Sequence, residues 1–238
     1  MVTAQDERRD WFARKPDGAL LGREKAHHSV EPTSSSLRPQ LLVFTLGNPV
    51  TLRLMTEHDL PMLHDWLNRP HIVEWWGGDE ARPTLREVTE RYLPRVLAEE
   101  SVTPYIAMLN QEPIGYAQSY VALGAGAGWW EEETDPGVRG VDQSLADPTQ
   151  LGKGLGTKLV VALVDLLFAD PQVTKIQTDP SPKNLRAIRC YEKAGFRQLK
   201  TIVTPDGPAL YMLQTRVSYQ RARGAPNPRL PDATRDNR

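Results

Sequence analysis

One stretch constrains this chain more than any other: residues 150–168, QLGKGLGTKLVVALVDLLF, where three glycines at alternate positions run straight into a long apolar helix. Leu155, Leu159, Ala162, Leu163, Leu166 and Leu167 recur at three- and four-residue intervals, so one whole face of that helix is buried. Gly152, Gly154 and Gly156 stand at its start, where free backbone N–H groups, the helix dipole and Lys153 converge. Such a terminus binds anions, and glycine lets a pyrophosphate approach the backbone. The spacing fits neither the Walker loop nor the Rossmann fingerprint. On the loop alone two readings stand, a dock for a phosphate-bearing cofactor and a tight strand-to-helix turn.

Strand and helix patterns alternate around this segment. VTLRLM (50–55) reads as a strand, and Thr56 caps a helix over 56–68 carrying Leu60, Leu63 and Leu67. A second helix is expected over 84–100, kinked or divided by Pro94. TPYIAML and EPIGYAQSYVAL form a hairpin across the polar pair Asn110-Gln111. A strand at 137–145, the helix at 154–169, a strand at 173–179 and a helix at 184–195 with Gly195 just past its end follow in turn. FRQLKTIV and GPALYMLQT close the body as a second hairpin. The expectation is an α/β fold with a mixed sheet.

The ends differ in texture. Residues 1–48 have the composition of a linker or disordered arm, and 216–238 read as a basic, Pro-rich tail, leaving 49–215 as the folded domain. The net charge of −1 conceals segregation: the body holds sixteen Lys/Arg against twenty-two Asp/Glu, while both ends are basic. An acidic body repels nucleic acid and draws cations, so the implied partner is a cationic small molecule, with ordinary solubility as the plainer reading. A single cysteine, Cys190, excludes a disulfide framework and fits the cytoplasm. No run is long and apolar enough for a membrane span, and the N-terminus lacks a signal-peptide core. The five histidines form no metal-ligand pattern, so no metal is expected.

Two further segments pair tryptophans with carboxylates: VEWWGGDE (73–80), between the first two helices, and GWWEEETDPG (128–137). Carboxylates beside flat apolar faces suit the cationic small molecule that the charge balance implies. Taken alone, a Trp pair serves equally as a core plug, and a charge run as a solvated face.

The order of elements, with LGKGLG opening the central helix and NLRAIRCYEKAGF after the next strand, resembles the GCN5-related N-acetyltransferase (GNAT) family over about residues 50–215. Within it, VEWWGG, TPYIAMLNQEPIGYAQSY, GWWEEETDPGVRG, QLGKGLGTKL, KIQTDPSPKNLRAIRCYEKAGF and TPDGPALYM are similar to the aminoglycoside 6′-N-acetyltransferases. The resemblance implies a mostly antiparallel sheet splayed at its central parallel strands, flanked by helices. It implies acetyl-CoA as co-substrate and a polycationic aminoglycoside as acceptor, in a monomer or homodimer. The activity is then acetyl transfer to the 6′-amine by direct attack in a ternary complex. A polyamine or protein-amine acetyltransferase and a non-catalytic acyl-CoA or drug binder are the alternatives.

The same resemblance distributes roles. The family pattern R/Q-x-x-G-x-G/A has Leu151 in its first place, with Gln150 beside it, so the pyrophosphate falls to the backbone at Gly152, Gly154 and Gly156, with Lys153 and Thr157. Val141 and its neighbours take the pantetheine along the splayed strand. Asn184 matches a cofactor-contacting asparagine, with a helix N-cap as its other reading. Tyr191 matches the tyrosine near the thioester sulfur, able to protonate a leaving thiolate, and is alternatively a core tyrosine. Asp142 and Asp179 flank the splay; they would hold the substrate ammonium and accept its proton, although a strand-end carboxylate is also a common cap. Trp76, Trp129, Trp130 and Glu131 are expected to line the drug site. Members of this group carry an acidic residue in the turn before the tryptophans, where this chain has Ala127.

Overall fold

The computed structural model describes residues 47–76, 82–126 and 128–224. The expected N-terminal extension, apart from its last two residues, Ala127, and the chain from 225 onward lie outside the described residues.

Seven strands form one sheet in the order β1-β2-β3-β4-β5-β7-β6. They are β1 (Val50–Leu54), β2 (Val102–Leu109), β3 (Glu112–Val121), β4 (Val138–Leu145), β5 (Lys175–Thr178), β6 (Arg197–Thr204) and β7 (Gly207–Thr215). All neighbours are antiparallel except β4 with β5, the mixed sheet the sequence implies. Asn110 and Gln111 turn the β2–β3 hairpin with φ of 50° and 70°, a left-handed pair whose twist matches that of the strands. The helices are α1 (Leu60–Leu67), α2 (Pro70–Trp76), α3 (Leu85–Val96), α4 (Leu155–Ala169), α5 (Leu185–Lys193) and α6 (Arg216–Ala222).

Strand alternation sorts the side chains onto two faces. Ala117, Val141, Leu145 and Ile176 join Leu159, Leu163 and Ile188 in the main core beneath α4 and α5. Ile106 and Tyr116 point the other way, into a second core with Leu63, Trp66 and Tyr92 beneath α1–α3. Residues 142 on β4 and 118 on β3 therefore belong to the α1–α3 face. α4 buries Val160, Val164 and Phe168 as well as Leu159, Ala162, Leu163 and Leu167 of its expected stripe, while Leu155 and Leu166 are only partly buried, because it packs on the sheet, α5 and α6 together.

Four local expectations are corrected. Thr56 opens a 3-10 turn, Glu57–Asp59, ahead of α1, since the Asp59 carboxylate accepts both from Thr56 and from Arg53 at 2.6–2.9 Å. Pro94 does not divide α3, which ends two residues later. VEWW is the close of a helix: Pro70 starts α2 at the position where a missing N–H costs nothing. The folded body also runs past residue 215. Thr215 and Ser218 cap α6, and Arg216 donates to the carbonyl oxygens of Val173 (2.7 Å), Phe168 (2.9 Å) and Asp170 at the end of α4. Tyr219 donates to Asp165 at 2.9 Å, and Arg223 pairs with the same carboxylate. α6 docks through these polar groups and one ring, Tyr219, which lies 4.7 Å from Phe168 between centroids, so its sequence carries no apolar stripe to announce it.

Candidate active site

β4 pairs with β3 as far as Leu145, but with β5 over only three rungs, ending at Gly140↔Gln177. Gly140 is obligatory there, because a Cβ would stand 2.2 Å from the ring of Tyr120. Beyond that rung the parallel strands part. Asp142 and Asp179 each follow the last rung by two residues, one on either side of the split.

Asp142 is half-buried and faces Gln118, whose Nε2 donates to its Oδ2 at 2.8 Å. The Gln118 Oε1 accepts in turn from the Tyr116 hydroxyl at 2.8 Å and from Arg95 at 3.3 Å. Two donors on that oxygen dictate the amide's orientation and leave its nitrogen for the carboxylate. Burial pushes the Tyr116 hydroxyl well above the ordinary phenol range, with the neighbouring Tyr92 adding to the effect, so it stays a donor. Arg95 is only 3% exposed and is anchored by Glu100 at 3.1 Å. Trp76 stands edge-on to Tyr116, with centroids 5.9 Å apart.

A cavity of about 390 Å³ opens at this end of β4. Gln143, Ser144 and Leu145 form one wall, and Gly152, Gly154, Gly156 and Thr157 another. Asn184 and the outward side of α5 make a third, while His71, Trp75 and Trp76 of α2 close the far side. The space thus joins the two faces of the sheet. Gly152 and Gly154 adopt φ of 74° and 82°, and nothing stands within 4 Å of where a side chain would begin. The first turn of a helix has N–H groups without intrahelical acceptors, and Lys158 is the residue whose N–H reaches the Gly154 carbonyl, at 3.1 Å. Gly156 is small for another reason: Cys190 Sγ would lie 3.3 Å from its Cβ. Burial raises the Cys190 thiol above its ordinary range.

Of the residues singled out from the sequence, Gly152, Gly154, Gly156, Thr157, Asn184 and Trp76 line this cavity. Asn184 also caps α5, its Oδ1 accepting the Ala187 N–H at 3.0 Å, as its N-cap reading expects. Val141 buries its side chain in the main core, on the strand whose edge borders the split. Gln150 and Lys153 are outside the cavity walls; Lys153 is exposed, and the buried Oε1 of Gln150 has no partner among the described residues. Tyr191 packs in the main core at 4% exposure, edge-on to Phe196 with centroids 5.3 Å apart.

The tryptophan loop requires a correction. Trp129, at 3% exposure, is a plug among Val102, Tyr120 and Ala125 and presents no open face. Trp130 is the half-buried one, tilted on Tyr211 at 5.3 Å and donating to the Tyr120 hydroxyl at 3.1 Å. Several of the carboxylates pin the loop itself. Glu131 accepts from the Gly128 N–H at 2.8 Å, Glu133 pairs with Lys175 at 2.7 Å, and Asp135 accepts from Thr174 at 2.6 Å.

Sequence reasoning missed one wall. Arg186, Arg189, Cys190 and Lys193 line the cavity from α5. Their spacing of three, one and three residues was a legible helical stripe, opposite the buried Ile188–Tyr191 side.

The acetyltransferase (GNAT) domain family matches residues 55–204. The chain is 76% identical over 182 residues to the aminoglycoside N(6′)-acetyltransferase type 1 of Klebsiella pneumoniae, covering 76% of this chain and 90% of that protein. A solved structure of the aminoglycoside acetyltransferase AAC(6′)-Ib in complex with coenzyme A and kanamycin is similar with a TM-score of 0.70 and 77% identity, over 73% of this chain and 99% of that one. A Vibrio cholerae spermidine N-acetyltransferase, at 18% identity, 72% and 98% coverage and a TM-score of 0.58, shares the fold.

Proposed function

This chain belongs to the GNAT acetyltransferase family, and from that premise we propose how its split sheet performs the reaction. The activity is transfer of the acetyl group of acetyl-CoA to the 6′-amine of an aminoglycoside, which confers resistance to the drug. The observation that carries the site reading is the placement of Asp142 and Asp179 two residues beyond the last β4–β5 rung.

The glycine-rich start of α4 takes the pyrophosphate on its free N–H groups, and the parted edge of β4 from Val141 onward takes the pantetheine. The thioester then reaches the split from the α4–α5 side. The drug comes from the α1–α3 side, where Trp76 and Trp130 offer ring faces and Asp142 and Asp179 hold the ammonium. An alkyl ammonium is mostly protonated at neutral pH and is not a nucleophile until it loses a proton. One of the two carboxylates, directly or through water, accepts that proton. The amine nitrogen attacks the acetyl carbon, the C–S bond breaks, the thiolate leaves with a proton supplied by Tyr191, and the second proton shed by the nitrogen returns through solvent to restore the phenol. No covalent enzyme intermediate is required.

No helix among the described residues is long and apolar enough to cross a membrane. We assign the protein to the cytoplasm, where acetyl-CoA is supplied, as a monomer or homodimer without nucleic acid. The test is incubation with acetyl-CoA and a panel of kanamycin, spermidine and a lysine peptide, read by product mass. A gain of one acetyl group on kanamycin alone is expected; acetylation of the polyamine or peptide in preference overturns the substrate, and CoA release from none overturns the enzyme.

A further inference from the structure

We infer that the outward side of α5 is a second anion subsite, reading the 3′-phosphate of the acetyl donor and so distinguishing CoA from its 3′-dephospho form. The inference rests on the reading of the cavity as the acetyl-CoA site.

Arg186, Arg189 and Lys193 all line the cavity, and all three are exposed at its mouth. None has a carboxylate within ion-pair distance among the described residues. The more buried cations of the body, by contrast, are paired with acids: Arg53 with Asp59, Arg95 with Glu100 and Lys175 with Glu133. Three cations on one cavity wall, none neutralised by a neighbouring acid among the described residues, present a positive field to any anion that enters the cavity.

One phosphate is too small to supply it. Positions 186 to 193 span two turns, about 10 Å along the helix axis, so the stripe extends beyond the reach of a single pyrophosphate. The pyrophosphate already has a matched site across the cavity, in the N–H groups at the start of α4. The two walls meet where Thr157 Oγ1 approaches Cys190 Sγ at 3.8 Å. Cys190 lies within the stripe, so Arg186 and Arg189 stand on one side of that seam and Lys193 on the other. A donor with its pyrophosphate at the α4 terminus therefore needs a further anionic group to engage them. Guanidinium groups suit a phosphate monoester, which presents several acceptor oxygens and carries close to two charges at neutral pH.

The experiment compares acetyl-CoA with acetyl-3′-dephospho-CoA as donors to kanamycin, in the full chain and in Arg186→Gln, Arg189→Gln, Lys193→Gln and the triple variant. In the unaltered chain the dephospho donor should show a KM about tenfold or more higher, the loss expected for a charge-assisted contact. That ratio should fall in at least one single variant and approach unity in the triple variant, and added salt should shrink it. Partial misfolding lowers the rate with both donors alike and leaves the ratio unmoved. Equal KM values for the two donors in the unaltered chain, or a ratio unchanged in all four variants, overturn the subsite. Absence of acetyl transfer from either donor instead overturns the acetyltransferase reading on which it rests.

Discussion

Gln118 hands an amide N–H to Asp142 across β3 and β4, at 2.8 Å, and cannot turn that amide around without losing Tyr116 and Arg95 from its oxygen. The carboxylate is held by a glutamine that is itself held. Gln118→Leu should lower kcat/KM for kanamycin by about tenfold, while Asp142→Asn should cost about 10² or more. The double variant should be little worse than Asp142→Asn alone, since the two act as a unit. Additive losses in steady-state kinetics would show that Gln118 serves something other than Asp142.

Raising the pH should partly rescue Asp142→Asn, because more of the drug's amine is then neutral without help. The comparison is kcat/KM at pH 7 and pH 9 for the parent and the variant. A variant whose deficit is the same at both values would move the proton acceptor to Asp179 or a water chain.

Tyr191→Phe should lower kcat and leave KM for the drug nearly unchanged, since it removes only the proton for a thiolate that is already a tolerable leaving group. The ring stays in its place against Phe196, so the melting temperature should move little. An unchanged kcat would leave Tyr191 as a core residue only.

Gly154→Val should keep the fold but abolish detectable CoA binding in calorimetry. The φ of 82° is strained for valine, and its side chain would occupy the open space in front of the helix-start N–H groups. Binding at the parent's affinity would sink the assignment of the loop.

Much of this was written legibly in the chain. The three glycines, the stripe on α4 and the Asn-Gln hairpin are local patterns, and the structure keeps them in place. What was illegible depended on contacts distant in sequence. Trp129 and Trp130 are neighbours of one residue type, and only Trp130's positive φ of 52° and its approach to Tyr211 separate plug from exposed face. Arg95 and Gln118 meet 23 residues apart, with no motif to join them. α6 docks by Arg216 reaching three carbonyl oxygens, an interaction no hydropathy pattern encodes.

That last contact predicts a boundary. Arg216→Ala should destabilise the fold by about 2 kcal/mol, a fall of about 4–8 °C in Tm, and a chain ending at residue 215 should melt lower still. A chain ending at 224 should match the full protein by calorimetry.

Asp59 sets an acid response. Burial raises its carboxyl, but hydrogen bonds from Arg53 and Thr56 outweigh that and hold it below its ordinary value of 3.8. A depressed folded value means the contribution is complete above the unfolded value and is lost as pH falls through the folded one. The gap in urea stability between the parent and Asp59→Asn should therefore be wide at pH 7 and begin to close only as pH falls below about 4. A gap constant over that range would show that the pair does not titrate with folding.

The parted strands make the sheet an aperture with an independent wall on each side. On one side stand helix starts and left-handed glycines, the wall proposed for the donor. On the other stand α2 and a loop strapped down by its own Glu131, Glu133 and Asp135, a strap that does not run through the side chain of Trp130, which leans on Tyr120 and Tyr211 instead. On that proposal, an acceptor wall can be reshaped by substitution while the donor wall on the opposite face of the sheet stays as it is.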